Sequence, residues 1–224
     1  MNAATMLPER TIKKLAAGEE TVIVALGDSL THGWRVNKGY LQFLREHLTC
    51  AYPQAIIKLI NAGVPGDTAR DGFLRLQSAV LAYQPACVLV QFGLNDAFDG
   101  YSPAQFAVSL ERIVDGITAT SEAEVVLVTS CYLGATEYGA MIETFYAGIE
   151  NLAQRRSLPF AAVHRYWELQ VAQGFAQTEL VQADGVHPTS AGYALMASAI
   201  ASLFFSQKSG RQGNGAQSPC QQGL

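Results

Sequence analysis

Short, nearly continuous apolar runs alternate along the chain with longer stretches in which apolar residues recur every three or four positions. The runs cover residues 21–26, 55–60, 86–92, 124–128 and 160–163, and β-branched residues are frequent in them. Runs of this length and composition read as strands covered by helices on both faces, not as half-exposed antiparallel strands. Between them, Tyr40, Leu41, Phe43, Leu44 and Leu48 form one helical stripe, and Ala69, Phe73, Leu76 and Val80 form another. Ser102-Pro103-Ala104-Gln105 supplies an N-cap serine, a proline at the first helical position and the glutamine of a capping box. Residues 136–157 predict a fourth helix and residues 189–205 a last, mostly apolar one packed on the sheet. The alternation is that of βαβ units, so the expected fold class is α/β with a five-stranded parallel sheet. Residues 1–205 read as one domain without repeat or linker. From 206 to 224 the chain turns to Gly, Gln, Ser and Lys with almost nothing to bury, which predicts a disordered tail.

Composition removes several classes of function. Charged residues make up only 15% of the chain and the AVILMFWYC set 49%, which fits a compact core and excludes disorder or coiled coil. Fifteen Lys and Arg against nineteen Asp and Glu give a formal net charge of −4 with no dense basic run, so no nucleic-acid partner is expected. Cys50, Cys87, Cys131 and Cys220 are scattered, with no C-x-x-C pair, which points to a reducing compartment. No apolar stretch approaches the roughly 18 residues of a membrane-spanning helix, and no stable membrane insertion is expected. The first twenty residues carry Glu9, Arg10, Lys13 and Lys14 in an amphipathic pattern instead of an apolar signal core, so the expected location is cytoplasmic.

In an open parallel sheet the site lies beyond the carboxyl ends of the strands, so motifs directly after strands carry the chemistry. The first run leads into Gly27-Asp28-Ser29-Leu30-Thr31, which places a serine at a strand-to-helix turn. Ser29 is either a helix cap or a nucleophile, and a nucleophile needs a base and a group to orient that base. Asp184-Gly185-Val186-His187-Pro188 offers both, because residues three apart in a turn can aim at one locus. His32, His47 and His164 read as structural. Acyl transfer also needs donors for the developing oxyanion. Gly66, in the loop Asn61-Ala62-Gly63-Val64-Pro65-Gly66-Asp67-Thr68, and Asn95, in Gly93-Leu94-Asn95-Asp96, both follow strands and can supply them. Asp28 and Asp96 are expected to hold loop backbone by local hydrogen bonds.

These four blocks, in this order, resemble those of the SGNH hydrolase superfamily, the GDSL esterases and lipases, over residues 21 to about 205. The resemblance implies a flavodoxin-like three-layer α/β/α sandwich. It also implies Ser29 as nucleophile, His187 as base, Asp184 as its partner, and the Ser29 N–H, Gly66 and Asn95 as the oxyanion hole. The implied activity is hydrolysis of a carboxylic ester, thioester or lysophospholipid through an acyl-serine, with a small-molecule ester as partner and no metal or organic cofactor. Acyl transfer to an alcohol and carbohydrate O-deacetylation use the same triad, and a non-catalytic binding module is the alternative from another class. The sequence lacks G-x-S-x-G, G-x-x-x-x-G-K-[ST], H-E-x-x-H and G-x-G-x-x-G, which removes the corresponding hydrolase-elbow, P-loop, zincin and dinucleotide readings. Trp34, Tyr40, Phe98, Tyr101, Tyr132 and Tyr138 lie in segments expected near the cleft; Trp34 and Tyr132 are the substrate-binding candidates, and about half of the set is expected to pack elsewhere.

Overall fold

The computed structural model describes residues 6–134 and 137–205. The tail expected from residue 206, and Thr136 at the expected start of the fourth helix, lie outside the described residues. Five strands, β1 (Glu20–Gly27), β2 (Ile56–Gly63), β3 (Cys87–Gln91), β4 (Glu124–Val128) and β5 (Phe160–Ala161), form one sheet in the order β2-β1-β3-β4-β5. Every neighbouring pair is parallel. Gly27 stands in register with Gly63 on one side and Gln91 on the other, so three strands end level. The chain moves from β1 to β2 in one direction and then crosses to β3 on the other side. This reversal opens a crevice at the carboxyl ends of β1 and β3.

The helices are α1 (Glu9–Ala16), α2 (Ser29–His32), α3 (Tyr40–Ala51), α4 (Ala69–Leu74), α5 (Leu76–Ala79), α6 (Leu94–Phe98), α7 (Pro103–Thr120), α8 (Glu137–Arg156), α9 (Val163–Ala172), α10 (Gln177–Leu180) and α11 (Ser190–Ala201). α11 packs on α3 and α9, while α7 packs between α4 and α8. Right-handed crossovers put these two groups on opposite faces of the sheet, giving three layers. β1, β3 and β4 carry the core, with Ile23, Val24, Val88, Leu89, Val126 and Leu127 fully buried. No helix among the described residues is long and apolar enough to cross a membrane.

The start of α7 follows its local chemistry: Ser102 Oγ accepts from the Gln105 N–H at 3.3 Å, the Gln105 side chain accepts from the Ser102 N–H at 2.9 Å, and Pro103 opens the helix. Four expectations need correction. β2 is an edge strand, paired only with β1, and all of it but Ala62 is exposed or half-buried. The fifth strand is two residues long, since Val163 already begins α9. The stripe at residues 69–80 is not one helix: it breaks at Arg75, whose guanidinium is drawn to the Asp67 carboxylate and the Gly27 carbonyl. The last helix stops at Ala201, with residues 202–204 tightening into a 3₁₀ turn. α9 and α10 were not anticipated.

Candidate active site

β1 delivers the chain into a sharp turn at Asp28, and Ser29 is the first residue of α2. The Asp28 carboxylate caps that short helix by accepting the Leu30 N–H at 2.9 Å. The turn lies against the end of β2 so closely that a Cβ on Gly63 would collide with the backbone of Asp28, Thr31 and His32. Ser29 is held by packing on both sides and keeps 7% of its surface exposed.

The partner comes from the other end of the chain. Between α10 and α11 the strand-like segment folds back on itself, with Val181 bridged to Pro188 and the Gln182 N–H donating to the His187 carbonyl at 2.7 Å. Asp184 Oδ1 accepts the N–H groups of Val186 and His187 at 3.0 and 2.9 Å. Its Oδ2 lies 2.8 Å from His187 Nδ1. With Nδ1–H donated to a carboxylate, Nε2 is left as an acceptor, and it lies 3.0 Å from Ser29 Oγ. Partial burial raises the Asp184 pKa, but the two backbone N–H groups and the imidazole outweigh it and hold the carboxyl below its ordinary range.

Asn95 stands on α6, immediately beyond β3, and lines the same cleft as Ser29 and His187. Its Nδ2 donates to the Asp67 carbonyl at 2.9 Å, which ties α6 to the loop after β2. One amide hydrogen remains for the cleft. Gly66 lies one residue before this tie, with φ of 88° and open space where a side chain would be. It is exposed and does not line the cleft itself. Arg75 anchors the same loop through Asp67 Oδ2 at 2.6 Å and the Gly27 carbonyl at 3.0 Å. Asp96 accepts the Ala69 N–H at 3.1 Å, which ties α6 to the start of α4, in addition to the local backbone bonds expected of it, from Gly93 and its own N–H.

The cleft encloses about 170 Å³ and is lined by Leu30, Leu94, Phe98 and Val186 beside the polar groups. The two aromatic candidates are not among its lining residues. Trp34 stands at the edge, its ring centroid 6.0 Å from that of His187. The Tyr132 carbonyl accepts from Gln177 Nε2 at 2.9 Å. Tyr40 is core, with its hydroxyl 3.2 Å from Thr31 Oγ1. Phe98 does line the cleft and meets Tyr138 edge-on at 5.5 Å. His164 is structural as expected, buried with Nδ1 2.8 Å from Thr129 Oγ1. Among the described residues no three His, Cys, Asp or Glu side chains are grouped so as to hold a metal ion.

Sequence reading missed the supports behind these groups. Gln182 donates to the carbonyls of Trp34 and Pro188 at 3.0 and 2.8 Å, and the Cys131 thiol donates to the Val186 carbonyl at 3.2 Å. Gln91 had a visible signal: it is the one polar residue in an otherwise apolar run, 86–92.

Residues 25–195 match the GDSL-like Lipase/Acylhydrolase family. The chain is 28% identical over 180 residues to thioesterase 1/protease 1/lysophospholipase L1 of Escherichia coli, covering 77% of each. It is 25% identical over 211 residues to the acetylxylan esterase of Geobacillus stearothermophilus, covering 84% of this chain and 94% of that one. The crystal structure of Axe2, an acetylxylan esterase from the same organism, superposes with a TM-score of 0.74 at 22% identity, over 87% of this chain and 97% of that chain. The family match spans most of the sheet and reaches from β1 into α11, and on it the chain belongs to the GDSL-like lipase/acylhydrolase family and is a hydrolase of carboxylic esters.

Proposed function

We propose that Ser29, His187 and Asp184 are the catalytic triad of a serine esterase that takes small esters with a short acyl group. The observation that carries this reading is the relay from Ser29 Oγ through the imidazole to Asp184, with spacings of 3.0 and 2.8 Å. His187 Nε2 removes the hydroxyl proton as Ser29 Oγ attacks the carbonyl carbon. The negative charge that forms on the carbonyl oxygen is held by the N–H groups of Ser29 and Gly66 and by the Asn95 amide. His187 then protonates the departing oxygen or sulfur, and water repeats the sequence on the acyl-serine. Asp184 keeps Nδ1 protonated and stabilises the imidazolium.

The size of the cleft supports the short acyl group, because drug-sized ligands occupy roughly 300–1,000 Å³ and this cleft encloses about 170 Å³. Its apolar walls suit a hydrocarbon tail over a charged one. The same volume suits an acetyl group, which makes O-deacetylation of a carbohydrate the second reading. We take residues up to 205 as one catalytic domain, supported by a core that is continuous from Leu15 to Phe204. Cys87 and Cys131 are free buried thiols, but Cys50 is disulfide-bonded, which counts against the reducing, cytoplasmic setting expected from the scattered cysteines.

Hydrolysis of p-nitrophenyl esters from acetate to decanoate tests the substrate class. Highest kcat/KM at the two shortest chains is expected, and a maximum at octanoate or decanoate overturns the short-chain reading.

A further inference from the structure

We propose that Gln91 is a positioning residue: its side-chain amide fixes the turn that carries Ser29 relative to the segment that carries Asn95. The inference rests on the reading of Ser29 as nucleophile. Gln91 ends β3, is fully buried, and is absent from the lining of the cleft. Its Nε2 donates to Asp28 Oδ2 at 3.1 Å and to Ser130 Oγ at 2.8 Å. Its Oε1 accepts the Thr31 hydroxyl at 2.8 Å. Ser29 therefore lies between two residues, Asp28 and Thr31, that are tied to one amide. The same backbone runs on through Phe92, Gly93 and Leu94 to Asn95. A displacement of Gln91 shifts nucleophile and oxyanion donor relative to each other, and a misplacement of about 1 Å costs on the order of 100-fold in rate.

Only an amide of this size meets the local demand, because it donates twice and accepts once at a buried site. A carboxyl in its place would stand about 3 Å from Asp28, and two carboxylates at that distance out of water cannot both ionise. Burial has already pushed the Asp28 carboxyl up to about 7, against the pull of the Leu30 N–H and the Gln91 amide. The groups that face Asp28 are Asp96 on α6, Tyr40 on α3, Cys131 beyond β4, Tyr146 on α8 and Tyr193 on α11, with His187 across Ser29. Burial raises the pKa of each of the three tyrosines, and that of Cys131 to about 12, so they stay neutral at working pH. Burial also pushes Asp96 up to about 6.

The test compares Gln91→Glu and Gln91→Met with the wild type on p-nitrophenyl acetate, with rates referred to the fraction of Ser29 labelled by a fluorophosphonate. Gln91→Met should lose about 10- to 100-fold in kcat with KM little changed, at every pH. In Gln91→Glu the ratio of its kcat to that of the wild type should fall as pH rises from about 6 to about 9, as a second buried negative charge is forced on the pair. Variants with lower melting temperatures but wild-type kcat per labelled site, and a flat ratio in Gln91→Glu, would overturn the positioning role. Failure of the wild type to label at Ser29 would instead remove the nucleophile reading beneath it.

Discussion

Ser29 gains its proposed reactivity from neighbours far away in sequence. The imidazole 3.0 Å from its hydroxyl belongs to a residue 158 positions later, and the turn between Asp184 and His187 aims that imidazole. Asp184→Asn keeps the size of the side chain but presents an amide to Nδ1 in one of its two orientations, favouring the wrong imidazole tautomer. It should lower kcat by up to about 10⁴-fold with an unchanged far-ultraviolet circular dichroism spectrum. Asn95→Ala removes the proposed oxyanion donor and the tie to the Asp67 carbonyl. A loss of about 10²–10³ in kcat is expected, with a smaller change in KM. Steady-state kinetics on p-nitrophenyl acetate check both, and wild-type turnover in Asn95→Ala would take that residue out of the site.

The elements divide into those set by local chemistry and those set by neighbours. Ser102→Ala deletes the cap of α7 and should cost about 1 kcal/mol, lowering the melting temperature by about 2–4 °C, as calorimetry would record. His164 joins the segment after β4 to α9, and burial lowers its pKa from 6.5 to about 4. Between those values the unfolded chain binds the proton and the folded one does not, so this group's contribution to stability falls as pH drops from about 6.5 to about 4. The loss amounts to roughly 3 kcal/mol. Urea midpoints at the two ends of that range should converge in His164→Gln relative to the wild type; equal pH dependence in both would contradict the assignment. The capping box of α7 was legible because its partners lie three residues apart. The four chemical blocks were legible because three of them follow strands and all four carry their own turn residues. The exposure of β2 was not, because an edge position depends on strand order. Nor was the break at Arg75, whose partners Gly27 and Asp67 lie 48 and 8 residues away. Gln91 stood out as a polar residue in an apolar run, yet its use depends on Asp28, Thr31 and Ser130 arriving from three other segments.

The parallel sheet brings these parts together. Because β1, β2 and β3 end level, the Ser29 turn, the Gly66 loop and the Asn95 segment emerge at one edge. α11, packed on α3, begins directly after the turn that carries His187 and fixes it over that edge. Two layers of helices bury the strands, and the chemistry is left to the loops. The most direct measurement is the intact mass of the protein after treatment with a fluorophosphonate, with Ser29→Ala alongside. A single adduct on the wild type, absent from the folded variant and matched by loss of ester hydrolysis, is the predicted result. An unmodified, folded wild type, or an adduct that persists in Ser29→Ala, would contradict the assignment of Ser29 as the nucleophile.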